Sequence, residues 1–166
     1  MRSGTRSECK RRWTPKGHRP RCRVKLGYQY CYLYAALNPY SGALFALILP
    51  DMTKDSFCMF SEAFGQYLSG TDDNSKGEAL LIADGAGAHL GEVCRAAGFS
   101  LERLPTACPE LNPVERFFEE LRKELACNIF DDLEGVEQKL CEVLRKYYDT
   151  PELITSLTQF PYLTTT

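Results

Sequence analysis

The spacing of hydrophobic positions changes several times along the chain, and each change predicts an element. Tyr28 to Leu37 (YQYCYLYAAL) is rich in aromatic residues and predicts a strand. Asn38-Pro39-Tyr40-Ser41-Gly42 supplies turn residues, and Ala43 to Leu49 (ALFALIL) predicts a second strand, apolar enough for burial on both faces. The two should pair as an antiparallel hairpin. From Asp51 to Leu68, Phe57, Phe60, Phe64 and Leu68 recur at intervals of three or four, predicting a helix that Asp51 or Thr53 can cap. After a polar loop, Gly70 to Gly77, the run Ala79 to Ala83 predicts a short buried strand leading straight into Asp84. Gly91 to Ala97 predicts a short helix ended by Gly98, and Phe99 to Leu104 a further strand.

Pro113 to Ala126 places Val114, Phe117, Phe118, Leu121 and Leu125 on one side of a helix, with Asn112 as cap and Pro113 at the first helical position. Leu133 to Tyr148 predicts another, through Val136, Leu140, Val143, Leu144 and Tyr147, and the tail from Pro151 adds one more turn. Arg11 to Gly17, punctuated by Pro15 and Gly17, reads as a turn or hairpin. The order strand, strand, helix, strand, helix, strand, helix, helix predicts one α/β domain with a mixed sheet covered by helices.

Composition narrows the class. The 166 residues are 44% hydrophobic, enough for one real core. No run approaches the roughly 18 apolar residues of a membrane span. The segment 1–25 is polar and basic, so no secretory leader is expected and the expected location is cytoplasmic. The eight cysteines contain no Cys-x-x-Cys pair, and Cys31, Cys58 and Cys141 sit in apolar patterns, so reduced structural thiols are expected rather than disulfides or zinc. The net charge of −2 hides an asymmetry: residues 1–25 hold ten Lys or Arg and one Glu, a balance of +9, leaving −11 for the rest. Such a segment suits nucleic acid phosphates, and it equally suits a solvated leader.

Two short stretches can carry chemistry. Asp84 ends an apolar strand and is followed by Gly85, Gly87 and His89; a carboxylate at such a strand end is either functional or a turn residue. In Pro109-Glu110-Leu111-Asn112-Pro113-Val114-Glu115, two prolines fix the backbone around Asn112 and set Glu115 in the first helical turn. Glu119, placed to pair with Lys123 at i,i+4, reads as a surface ion-pair partner. Asp84 and Glu115 are hard oxygen ligands suited to Mg²⁺ or Mn²⁺. Phosphoryl transfer with two metals requires a third carboxylate.

These stretches resemble a known family. Ile82-Ala83-Asp84-Gly85-Ala86-Gly87-Ala88-His89 is similar to the strand, Asp and His motif of DDE transposases of the insertion sequence 630 family, in the mariner superfamily. Pro109 to Glu115 resembles that family's Pro-Glu/Asp-Leu-Asn-Pro-Ile-Glu signature, Leu104-Pro105 its approach, and Trp13-Thr14-Pro15-Lys16-Gly17 its Trp hairpin. Cys108 stands where the family usually has Ser.

The resemblance implies a ribonuclease-H-like, retroviral-integrase-like fold whose first strand is missing. It implies a basic N-terminal segment (1–25), a catalytic domain (26–150) and a C-terminal tail (151–166). Asp84 and Glu115 become the second and third catalytic, metal-binding acids, with Glu110 the competitor for the third place and His89 and Asn112 in supporting roles. Lys10, Arg11, Arg12, Lys16, Arg19, Arg21 and Arg23 become DNA contacts.

The implied activity is Mg²⁺-dependent cleavage and strand transfer in bacterial DNA transposition, by a nucleoid-associated homodimer acting on terminal inverted repeats and target DNA. The chain departs from the family at its start. Met1-Arg2-Ser3-Gly4-Thr5-Arg6 resembles what directly follows the family's first catalytic Asp-Glu, so that Asp is expected to be absent. A remnant that binds DNA or a partner without cleaving is therefore the competing expectation. An unrelated metal-dependent hydrolase built on Asp84, His89 and Glu115 is disfavoured by the Asn-Pro-Val-Glu context.

Overall fold

A computed structural model describes residues 1–7, 13–18, 21, 23–70, 79–87 and 89–160. It opens with a strand the hydrophobic pattern does not predict, β1 (Arg2–Gly4), which pairs antiparallel with β2 (Tyr30–Leu37). β2 pairs antiparallel with β3 (Leu44–Leu49) around the Asn38 to Gly42 turn, Ala35 opposite Ala46. The Asn38 side chain accepts from the N–H groups of Tyr40 and Ser41, and Gly42 takes a positive φ of 74° that favours glycine.

The helix α1 (Lys54–Gly70) starts three residues later than its periodicity suggests. Asp51 and Thr53 explain this: Thr53 Oγ1 accepts from Ser56 N–H, while Asp51 Oδ1 accepts from Thr53 and from the Ser56 hydroxyl. β4 (Ala79–Ala83) and β5 (Phe99–Arg103) flank α2 (Gly91–Ala96) and pair in parallel, Ala83 opposite Arg103. Gly98, at φ 90°, turns the chain from α2 into β5. A short 3₁₀ turn (Pro109–Leu111) leads into α3 (Pro113–Leu125), followed by α4 (Leu133–Asp149) and α5 (Glu152–Thr158).

The expected mixed sheet is divided. Among the described residues β1-β2-β3 form one sheet and β4-β5 another. β2 lies between two cores, its side chains alternating between them. Cys31 and Leu33 join Phe117, Phe118, Leu121, Leu140, Val143 and Ile154 beneath α3, α4 and α5. Tyr34 and Ala36 join Phe57, Phe60, Cys94 and Phe99 beneath α1 and α2. Gly65 lets α1 approach the Ala97 carbonyl, where a Cβ would clash.

Some expectations need correction. β3 is buried at its ends and only half-buried between, because it is the edge of its sheet. Of the three cysteines in apolar patterns, Cys31 is buried, Cys58 half-buried and Cys141 exposed, since Cys141 falls on the outer side of α4. The six cysteines among the described residues are free thiols. On α3, Glu119 meets Arg116 at 3.5 Å and Lys123 meets Glu120, so these contacts run i,i+3. Residues beyond Pro151 give more than a tail: Ile154 and Thr158 of α5 are fully buried. No described helix is long and apolar enough to cross a membrane.

Candidate functional site

Asp84 directly follows β4, whose last residue is tied to the next segment by Leu104 N–H donating to Ala83 O at 2.8 Å. The Asp84 side chain is 64% exposed, and its Oδ1 accepts from Ala86 N–H at 3.3 Å. His89 closes the turn behind it. The His89 Nδ1 lies 3.0 Å from Asp84 Oδ1 and 3.1 Å from Asp84 O. Facing two acceptors, that nitrogen must carry the proton. The ring stands 4.9 Å from the Phe57 ring of α1, and Arg103 Nη2 donates to the His89 carbonyl at 2.6 Å. Asp84 is thus held from α1 and β5 as well as from its own turn.

Glu115 is set by local geometry. Leu111 and Asn112 donate to Cys108 O and Pro109 O, closing the 3₁₀ turn, and Ala107 before it takes a left-handed φ of 61°. Asn112 then caps α3, its Oδ1 accepting from Val114 N–H at 3.3 Å while its carbonyl accepts from Glu115 N–H at 3.1 Å. The first-turn position of Glu115 follows from Pro113 at the helix start. Arg122, two turns along α3, lies 3.8 Å from Glu115 Oε2.

Asp84, His89, Asn112 and Glu115 line one groove together with Met1, Leu33 and Arg122. The Met1 amine reports on its surroundings. Desolvation pulls its pKa down to about 6, with Arg122 acting in the same direction and Glu115 and Asp84 opposing. Both carboxylates therefore lie within electrostatic reach of one point. Among the described residues no group of three His, Cys, Asp or Glu could hold a metal ion. Glu110, the competitor to Glu115, sits in the exposed 3₁₀ turn and is not among the groove residues.

Of the basic residues expected to meet DNA, Lys16, Arg21 and Arg23 are exposed, Lys16 in a turn closed by His18 N–H donating to Pro15 O. Lys10, Arg11, Arg12 and Arg19 lie outside the described residues. Three further arginines were not among the expected DNA contacts. Arg2, Arg6 and Arg122 line a small indentation beside the groove, and the Arg2 guanidinium sits 4.6 Å from the Tyr30 ring centroid. Arg2 comes from β1, Arg6 from the segment after it and Arg122 from α3, so only their charge was available as a signal.

Residues 2–137 match the DDE superfamily endonuclease family. The chain is 30% identical over 130 residues to the uncharacterised protein y4pE/y4sA of Sinorhizobium fredii, covering 77% of this chain and 93% of that one. Its fold is similar to the Mos1 transposase paired-end complex with left transposon end, at a TM-score of 0.66 and 17% identity over 96% of this chain. It is also similar to the Mos1 mariner paired-end complex with Mn, at a TM-score of 0.63 and 16% identity over 92% of this chain. It spans 49% and 51% of those two Mos1 chains. The chain belongs to the DDE superfamily of endonucleases, with the ribonuclease-H-like fold of a mariner transposase catalytic domain.

Proposed function

We propose that this chain serves DNA transposition, with Asp84 and Glu115 as two of the carboxylates that hold Mg²⁺ or Mn²⁺. One observation carries the reading: two acids with thirty residues between them line the same groove and act on the same amine. Their chemistry fits the ion, since both are hard oxygen donors with exposed carboxylates. A bound divalent ion supplies Lewis-acid activation at a phosphodiester.

The chain's own residues do the positioning. His89 orients Asp84, Asn112 and Pro113 orient Glu115, and Arg122 shares the negative charge of Glu115 when no metal is bound. Arg2, Arg6 and Arg122, with Lys16, Arg21 and Arg23, offer guanidinium and ammonium groups to backbone phosphates. The DNA class is that of transposon terminal inverted repeats and target DNA, handled by a homodimer in the bacterial cytoplasm at the nucleoid.

A second reading is that the chain binds DNA without cutting it. One experiment separates the two. Incubation of the 166-residue chain with inverted-repeat DNA and Mn²⁺ is expected to give a salt-sensitive complex on either reading, and cleavage only on the first. Calorimetry should then show Mn²⁺ binding that Asp84→Asn and Glu115→Gln each weaken about tenfold or more. Undiminished Mn²⁺ binding in both variants would remove these residues from the metal site. Robust cleavage abolished by Glu115→Ala would place the third acid within these residues and eliminate the non-cleaving reading.

A further inference from the structure

Arg122 of α3 serves two neighbourhoods. On one side its Nη2 lies 3.8 Å from Glu115 Oε2, close enough for an ion pair but too far for a hydrogen bond, and both side chains are close to half exposed. An exposed pair of that length holds neither partner firmly. On the other side Arg122 lines a small indentation together with Arg2 and Arg6.

The indentation is built from several elements. Its remaining lining is Ser3, Gly4, Leu125, Asn128, Phe130 and Val136, so no acid within it offsets the three guanidiniums. Neither Arg2 nor Arg6 forms an ion pair with a described carboxylate. Arg2 is set by β1, opposite Tyr32, and its guanidinium packs 4.6 Å from the Tyr30 ring centroid. Gly4 leaves room for that ring, since a Cβ there would collide with Tyr30 Cδ1 and the Gln29 carbonyl.

The end of α3 is adjusted to match. Its last carbonyls would repel an anion, but Asn128 Nδ2 donates to both Glu124 O and Leu125 O and covers them. Three like charges beside apolar Leu125, Phe130 and Val136 repel one another until an anion joins them. The volume of about 30 Å³ has room for roughly two water-sized atoms, as the unbridged oxygens of a phosphodiester require.

We propose that this indentation is a phosphodiester subsite and that Arg122 couples it to Glu115. Arg122 pairs with the carboxylate when no phosphate is seated, and turns its planar fork to the phosphate when a cation engages Glu115. The coupling runs both ways. Whatever takes the Glu115 charge releases Arg122 to phosphate, and a seated phosphate leaves Glu115 open to a cation. Residues 115 and 122 are two turns apart on one helix, so cation and phosphate are engaged at neighbouring places on α3. This coupling rests on Glu115 and the arginines serving DNA as proposed above, but its sign depends on Arg122 alone and is measurable without any metal.

The probes are inorganic phosphate and a short duplex of unrelated sequence, each titrated into the full chain in EDTA while the Ser3, Gly4 and Asn128 amides are followed by NMR. Both are expected to shift these amides. Glu115→Gln should tighten both, and the gain should be about threefold larger with Arg122 present than in an Arg122→Gln background. Arg122→Lys, which keeps a movable charge, should restore part of that difference, whereas a purely structural Arg122 would show none of it. Equal gains in the two backgrounds would overturn the coupling while leaving the metal role of Glu115, read by Mn²⁺ calorimetry, untouched. Amides that respond to phosphate but not to duplex would make the ligand a small anion and overturn the DNA assignment. Amides that respond to neither would remove the subsite.

Discussion

His89 contacts Asp84 through Nδ1 and Phe57 through its ring, so it both donates to the carboxylate and is wedged in place by α1. A donor holding a metal-ligating carboxylate in one orientation typically changes metal affinity by about 10–100-fold when lost. With Asp84 as the proposed metal ligand, His89→Ala is expected to weaken Mn²⁺ binding within that range. His89→Asn, which keeps a donor, should recover part of the loss. Equal Mn²⁺ affinity in the His89→Ala variant would reduce the residue to packing.

Asp51 offers a pH-dependent counterpart away from the groove. Hydrogen bonds from the Ser56 side chain, then from Thr53, hold its pKa below the ordinary carboxylate value. A depressed folded pKa means that its stabilisation is present above the unfolded pKa and is lost as pH falls through the folded value. The stability difference between the chain and Asp51→Ala should thus be largest near neutrality and shrink as pH drops below about 4. Urea denaturation at several pH values reads this, and a difference that grows on acidification would refute the capping role.

The placement of Asp84 at the end of β4 and of Glu115 in the first turn of α3 was legible in sequence, because each sits in a short motif whose turn chemistry is local; their proposed metal role is for the Mn²⁺ measurements to test. Arg2, Arg6 and Arg122 were not legible as a group, because they lie far apart in sequence and meet only in the folded chain.

Elements with strong periodicity were legible in the same local way. α3 and α4 begin at side-chain caps, Asn112 accepting from Val114 and Asp132 from Gly135, and both run close to the ranges their apolar spacing predicts. β1 carries only Arg-Ser-Gly and has no period to read; it exists because β2 offers an edge. α5 is the opposite case, a short segment easily taken for a tail that proves central to packing. Ile154 is fully buried against the core under α3 and α4. Ile154→Ala should cost about 3 kcal/mol, through lost burial and the cavity left behind. Leu153→Ala, at a 41% exposed neighbour, should cost far less. Similar losses from the two substitutions, measured by urea midpoint at constant slope, would show that α5 contributes no specific packing.

At the scale of the whole molecule, the division into two sheets and the division of charge have different origins. Among the described residues the sheet is parted between β2 and β4, a feature no hydrophobic pattern could announce, because each strand is individually well formed. The charge division is a sequence property: +9 over residues 1–25 against −11 over the rest. It opposes DNA binding by the body and favours it at the basic end, so the complex should owe its affinity to released counterions rather than to net charge. Each phosphate contact contributes about 0.9 to the slope of log K against log salt concentration on duplex DNA. Lys16 and Arg21 are both exposed and lie on the basic segment. Replacing both by Ala should lower that slope by roughly two and weaken binding alike on inverted-repeat and unrelated duplexes. Binding titrations across a salt series would show it. A slope left unchanged by the double variant would make the segment a solvated leader and shift the phosphate contacts to Arg2, Arg6 and Arg122 beside Glu115.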